Sequence, residues 1–317
     1  MAPASALVTG ASGFIGAHLV ARLLDQGCRT TVLVRSSSAI PPEWRDRVSI
    51  IACDDLTEGS LRQVLRADVE TVFHLAAYGV IPGNRDSAEM LRINVMLPAA
   101  LARVCADRSV RLIMAGSSAE YRRPLTNDPI PETAPLESAK LYGSSKAAGG
   151  LMASAIASEC GAGFRLLRLF KAYGPGEAPH RLLPALVKDL SRGERVALSA
   201  GTQVLDFVYI DDVIEALIRG DRHCRDKGGA ATWNVASGRG HSVREFSESV
   251  ARAMHADVSL LGFGAIGMRK DDEPWLVGAT ELLHAELGWH PSTGLDAGVR
   301  ASVAALSAQA ASGVSVN

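Results

Sequence analysis

Short apolar runs alternate with longer amphipathic stretches through the first half of the chain. In order they are "SALVTG" (5–10), a helical pattern from Phe14 to Gln26, "TTVLVR" (30–35), a helix after Thr57, "TVFHLAA" (71–77), a helix near Met90 to Asp107, and "VRLIMAG" (110–116). Runs rich in Val, Ile and Leu that alternate with helices predict parallel strands buried on both faces. The expected class is α/β, a doubly wound parallel sheet of the Rossmann kind with a second, smaller α/β domain for substrate. After "FRLLRLF" (164–170) the rhythm breaks at "YGPGEAPH" (173–180), where Gly and Pro punctuate the chain. This predicts a first domain over 1–173 and a second over 174–317, with a helix around Arg181 to Arg192. The strand-like pieces "DFVYI" (206–210) and "TWNVA" (232–236) predict returning segments near 204–215 and 231–238.

Composition narrows the class of partner. The 317 residues are 47% hydrophobic and 21% charged, with a formal net charge of −1. The basic residues are scattered, which argues against nucleic acid and against a membrane surface and points to a small-molecule ligand. The apolar runs are too short to span a bilayer, and "MAPASALVTG" lacks the basic start and long apolar stretch of a secretory signal. The expected address is the cytoplasm. Five cysteines lie far apart and read as reduced packing residues, and eight histidines form no close pair, which leaves metal catalysis without support.

"ALVTGASGFIGAHLV" (6–20) places Gly10, Gly13 and Gly16 between an apolar run and an amphipathic helix. There glycine lets the chain turn tightly and lets backbone N–H groups approach a pyrophosphate at the positive end of a helix. A bare tight turn would use the same residues, and the spacing is GxxGxxG rather than GxGxxG. Its position at the first strand-to-helix turn favours a dinucleotide. The second strand ends at Arg35 and Ser36, where an NAD-binding fold usually offers an acid to the adenosine ribose. A guanidinium beside serine hydroxyls would hold a 2′-phosphate, so Arg35 points to NADP(H), with NAD(H) the alternative. A solvated surface arginine is the bland reading.

"LYGSSKAAG" (141–149) contains Tyr142 and Lys146, four apart and so on one face of a helix. A free phenol is a poor acid-base group at neutral pH, and a nearby ammonium and an oxidised nicotinamide would bring it toward the working range. An interfacial tyrosine beside a solvated lysine fits the pair as well.

Taken together, "TGASGFIG", "DDLT" (54–57), "HLAA" (74–77), "IN" (93–94), "GSSAEY" (116–121), "YGSSK" (142–146), "RLFKAYGPG" (168–176), "DFVYIDDV" (206–213) and "ELGWHP" (286–291) make the chain resemble the extended short-chain dehydrogenase/reductase family. That family comprises nucleotide-sugar epimerases, dehydratases and reductases. The resemblance implies that Gly10, Gly13, Phe14, Ile15 and Gly16 line the pyrophosphate and that Asp55 and Leu56 meet the adenine. It also implies that Leu75, Ala76 and Ala77 follow the dinucleotide, and that Lys146 holds the nicotinamide ribose. Ser117 takes the place of the family's carbonyl-polarising hydroxyl, and Tyr142 that of its proton-transfer group. Asn94 matches a structural asparagine outside the site. The family's dehydratases carry an Asp-Glu pair after the catalytic hydroxyl, where this chain has Ser118 and Ala119. Glu120, one residue later, would face the other way on an extended strand. A 4-keto-6-deoxy sugar reductase is the nearest match, and a homodimer is implied.

Two departures fall where a sugar nucleotide would lie: Lys171 replaces a usual asparagine, and Leu205 an arginine that grips the diphosphate. Lys171, Arg181, Arg269 and Ser118 are the substrate-binding candidates in its place. Alternatively Leu205 packs in the core and the ligand is a ketone without a nucleotide. The leading expectation is NADPH-dependent ketone reduction by Ser117, Tyr142 and Lys146. A 4-epimerase with tightly bound NAD is the alternative, and a non-catalytic NADP-binding regulator a third reading.

Overall fold

A computed structural model describes residues 1–38, 40–80, 83, 85–268 and 273–311. The apolar runs become strands β1 (Ser5–Thr9), β2 (Arg29–Val34), β3 (Ser49–Ala52), β4 (Thr71–His74), β5 (Arg111–Ser117) and β6 (Phe164–Leu169). The remaining strands are β7 (Lys171–Tyr173), β8 (Val196–Leu198), β9 (Val204–Tyr209), β10 (Ala230–Val235), β11 (Gly240–Ser242), β12 (Leu261–Phe263) and β13 (Trp275–Leu276). Seven of them form one sheet in the order β10-β6-β5-β4-β1-β2-β3, with every neighbouring pair parallel. β1 lies between β2 and β4, so the chain switches direction across the sheet there and opens a crevice at the carboxyl ends of the strands.

Helices cover both faces, as buried parallel strands require. They are α1 (Phe14–Asp25), α2 (Glu58–Val64), α3 (Ser87–Met90), α4 (Leu97–Asp107), α5 (Leu141–Glu159), α6 (Leu182–Ser191), α7 (Ile210–Lys227), α8 (Val243–Ala253), α9 (Glu281–Leu287) and α10 (Leu295–Ala311). Leu19, Val20 and Leu23 of α1 share one core with Val213, Ile214 and Leu217 of α7. Leu61 of α2, Leu101 of α4 and Ala153 of α5 belong to the core on the opposite face. Among the described residues no helix is long and apolar enough to cross a membrane.

A second sheet holds β11, β9 and β13, with β7 also paired to β9. The "TWNVA" stretch returns to the large sheet as β10, beside β6. The "DFVYI" stretch does not: β9 is the centre of the second sheet, and the following helix α7 packs back on the large one. Apolar periodicity marks β9 as a buried strand and leaves open which sheet buries it. Tertiary partners decide. Asp206, fully buried in β9, accepts from Ser237 N and Oγ (both 2.6 Å), Gly238 N (3.0 Å) and Gly278 N (3.2 Å), tying β9 to the loops after β10 and β13.

Candidate active site

The turn after β1 shows why glycine occupies it. Gly10 has φ of +69°, and a Cβ there would lie 2.5 Å from Ala76 N and 2.6 Å from Leu75 C. A Cβ on Gly16 would lie 2.2 Å from Gly10 O, so the first turn of α1 sits directly on the loop. Gly13 is the N-cap of α1 and offers no side-chain cap, and the first turn carries no acid. The N–H groups of Phe14, Ile15 and Gly16 are therefore uncapped at the positive end of a twelve-residue helix, which suits a pyrophosphate. Phe14, Ile15, Leu75 and Ala77 line the cavity beyond it. Ala76 packs behind, its N–H 3.4 Å from Thr9 Oγ1.

Arg35 and Ser36 are exposed past the end of β2. They are not alone, because Asp54 Oδ1 accepts the Ser36 N–H at 3.0 Å. Hydrogen bonding from Ser36, with the charges of Arg35 and Arg92, holds the Asp54 carboxyl below its ordinary value. The doubled acid of "DDLT" is the only local signal for Asp54, and its contact with Ser36 spans 18 residues. Asp55 braces the start of α2 instead, with Oδ2 accepting from Ser60 Oγ (2.7 Å) and Thr57 Oγ1 (3.2 Å). Leu56 packs against the core of that face.

Ser117 ends β5, and Tyr142 and Lys146 open α5 on one helical face; all three line a cavity of about 450 Å³ at the carboxyl ends of the strands. Ser118, itself buried, and Ala119 line it too. Burial and the nearby Glu120 carboxylate push the Tyr142 phenol up to about 12, while a hydrogen bond with Ser117 and the charge of Arg181 act the other way. The Lys146 ammonium, on the same helical face, donates to the Ala115 carbonyl at 2.8 Å. Burial pulls Lys146 below its ordinary value, opposed by Glu120.

Glu120 faces away from the cavity, in a one-turn 3-10 helix (Ser118–Glu120) rather than on a strand. Asn94 lies in a π-helical turn (Leu91–Met96) and is a clamp: Oδ1 accepts Tyr78 N, and Nδ2 donates to Tyr78 O and to Ser145 Oγ, all at 2.8–2.9 Å.

Lys171 and Arg181 line the cavity, and Arg269 lies outside the described residues. Leu205 is half-buried against the core. The cavity wall also carries Arg85, Arg122, Arg123 and Lys140, which the sequence reading missed. The signal for Arg122, Arg123 and Lys140 lay in "YRRP" and "AKLYG", directly attached to the serine and tyrosine motifs; Arg85 has no such local marker. Two carboxylates balance part of this charge. Glu273 pairs with Lys140 and lies 3.8 Å from Arg123 Nε, and Glu137 accepts the backbone N–H groups of Ser138, Ala139 and Lys140. Among the described residues no group of His, Cys, Asp and Glu gathers to hold a metal.

The sequence profile of the NAD dependent epimerase/dehydratase family matches residues 6–236, the span that holds both the glycine turn and the Ser117, Tyr142 and Lys146 cluster. The chain belongs to this family. It is an oxidoreductase-type enzyme of the extended short-chain dehydrogenase/reductase kind. Within the family it is 29% identical over 314 residues to dTDP-glucose 4,6-dehydratase of Streptomyces griseus, covering 94% of this chain and 92% of that one. The structure of UDP-glucose 4-epimerase from Thermotoga maritima, with UDP-glucose, superposes with a TM-score of 0.86 at 25% identity, covering 96% of this chain and 99% of that one. MoeE5 in complex with UDP-glucuronic acid and NAD gives 0.82 at 29% identity, with the same coverage.

Proposed function

We propose that this family member reduces a ketone with NADPH, and that its substrate is a nucleoside-diphosphate 4-keto-6-deoxy sugar. One observation carries the reading: Ser117, Tyr142 and Lys146 meet in one cavity whose adjacent strand-end positions, Ser118 and Ala119, offer no carboxylic acid or base. Eliminating water from a sugar needs such a pair; reducing a ketone needs one hydrogen-bond donor and one proton donor.

The uncapped start of α1, Gly10, Leu75 and Ala77 would hold the dinucleotide, with Arg35 and Ser36 at its adenosine end. The reduced nicotinamide, when bound, supplies the hydride. The Ser117 hydroxyl donates to the substrate oxygen, and Tyr142, protonated at neutral pH, delivers its proton there. Lys146 is fixed by Ala115 and offers its remaining N–H donors to the ribose. Lys171 and Arg181 supply the charge that Leu205 does not, and hold the diphosphate as point charge and fork respectively. In this reading the large sheet and its glycine turn serve the cofactor, and the second sheet with its loops the substrate.

Asp54 favours a second reading, a 4-epimerase that keeps NAD bound, since a carboxylate beside the ribose repels a 2′-phosphate. The test follows absorbance of the reduced nicotinamide with NADPH or NADH and a panel of CDP-, dTDP-, GDP- and UDP-linked 4-keto sugars. The reductase reading expects NADPH consumption that falls by ~10²–10⁴ in Tyr142→Phe with cofactor binding retained. Tightly bound NAD(H) in the purified protein, with interconversion of sugar epimers and no net consumption, would favour the epimerase instead.

The exposed apolar side chains Met96, Leu151 and Met152, on the edge of the packed α4 and α5 layer, support a homodimer through these helices. All five cysteines are free, which suits a reducing cytoplasm.

A further inference from the structure

The strand-end motif contains a carboxylate that the proposed chemistry leaves unused. Glu120 is fully buried, one turn past Ser117. Its Oε1 accepts the Ser117 backbone N–H at 2.7 Å, and the Ser117 hydroxyl accepts the Ala119 N–H at 3.2 Å, so the two side chains lock the turn that presents Ser117. Its Oε2 accepts Arg168 Nε from β6 at 2.8 Å. Arg168 in turn donates to Tyr121 Oη (3.0 Å), which donates to Asn234 Oδ1 on β10 (2.6 Å). Every link lies in the interior, so the carboxylate has a fixed position.

Gly116 of β5 leaves room for that position, since a Cβ there would lie 2.6 Å from Glu120 Oε1; a Cβ on Gly150 of α5 would be in ordinary contact, 3.7 Å from Oε2. Tyr142, Lys146 and Gly150 are spaced four residues apart and share one face of α5. The Glu120 carboxylate thus occupies the far end of the stripe that carries the proposed proton donor. A structural ion pair alone does not need this address, because a burial of two charges is at best weakly stabilising compared with apolar residues of the same shape.

We propose that Glu120 is a positioning residue for proton transfer: it fixes Ser117 through the backbone and sets a negative charge behind Tyr142 that keeps the phenol in its protonated form. This rests on the reductase reading, in which Tyr142 begins each cycle protonated. The charged and titratable groups facing this stripe are Lys146 on α5, His74 on β4, Arg168 on β6 and Arg181 before α6. Arg181 opposes Glu120 at the phenol, and Arg168 is bound to Glu120 itself.

The test reads the phenol directly and needs no substrate. Tyrosinate absorbance is titrated in the protein with oxidised dinucleotide bound, and the Tyr142 component is isolated by subtracting Tyr142→Phe. Glu120→Gln is expected to move this component down by about one pH unit, a tenfold loss of proton affinity. Glu120→Gln combined with Arg168→Met removes both buried charges and covers the case in which the single variant does not fold; the same downward direction is expected. Glu120→Asp keeps the charge and shortens the reach to Ser117, so the titration should stay while kcat falls and KM holds. An unmoved Tyr142 titration in both charge-removing variants overturns the proposal. A shifted titration without NADPH consumption on any ketone leaves the electrostatic role standing and sinks the reductase reading.

Discussion

Lowering the pH from about 7 to about 5 tests the joint between β4 and the glycine turn. His74, at the end of β4, is 1% exposed, and its Nδ1 lies 2.8 Å from Thr9 Oγ1. The Thr9 oxygen receives the Ala76 N–H at 3.4 Å, so its own proton is directed at Nδ1. The ring must be neutral to accept it. Burial, reinforced by the charge of Lys146, pulls His74 from 6.5 down to about 3. A histidine whose folded pKa lies below its unfolded one stabilises the fold fully above the unfolded value, and that contribution drains away as pH falls toward the folded value. Between pH 7 and 5 the loss comes to about 2 kcal/mol, from about 1.4 kcal/mol per pH unit below the unfolded pKa.

Glu177 works in the opposite sense over the same window. Burial pushes its carboxyl up from 4.5 to about 7, so the folded chain takes up a proton there before the unfolded chain does. Acidification from 7 to 5 then adds about 2 kcal/mol, and the wild-type curve should be nearly flat. The informative quantity is a difference. Urea unfolding of the wild type and of His74→Gln at both pH values should show the stability gap between them shrinking by about 2 kcal/mol on acidification. Glu177→Gln should uncover the same loss as an outright fall. A gap between wild type and His74→Gln that is equal at both pH values refutes the reasoning.

Three further outcomes are expected. Gly10→Ala must hold φ of +69° and crowd Ala76; together these cost about 3 kcal/mol in denaturant unfolding, with weaker dinucleotide binding by fluorescence titration. Arg35→Ala should raise the KM for NADPH about tenfold and leave NADH unchanged, the size of one lost charge-assisted contact; steady-state kinetics with both cofactors decide it. Leu151→Glu with Met152→Glu should turn the proposed α4–α5 dimer into monomer in sedimentation velocity, because paired carboxylates cannot be buried across a symmetric helix face.

The chemistry-bearing positions were legible in the chain wherever a local rule reaches. Gly10 and Gly16 sit where a strand must turn into a helix, and the structure supplies the reason in contacts that no side chain could share. Helical spacing puts Tyr142 and Lys146 on one face, and the family resemblance gives that pair its expected role. Sequence spacing could not show that the Lys146 ammonium spends a donor on Ala115, that Asp54 closes on Ser36, or that Glu120 is buried rather than turned to solvent. Each is a contact across 18 or more residues or a choice of turn geometry. The sheet that β9 joins and the cations around the cavity are decided the same way. Local periodicity fixes which face of an element is apolar, and only the packing of distant elements fixes what meets that face. The sequence by itself determined the alternation of strands and helices, the glycine turn after β1 and the placing of Tyr142 and Lys146 on one helical face. Only the tertiary structure determined the charge each of those groups experiences, since burial and neighbours, not spacing, set it.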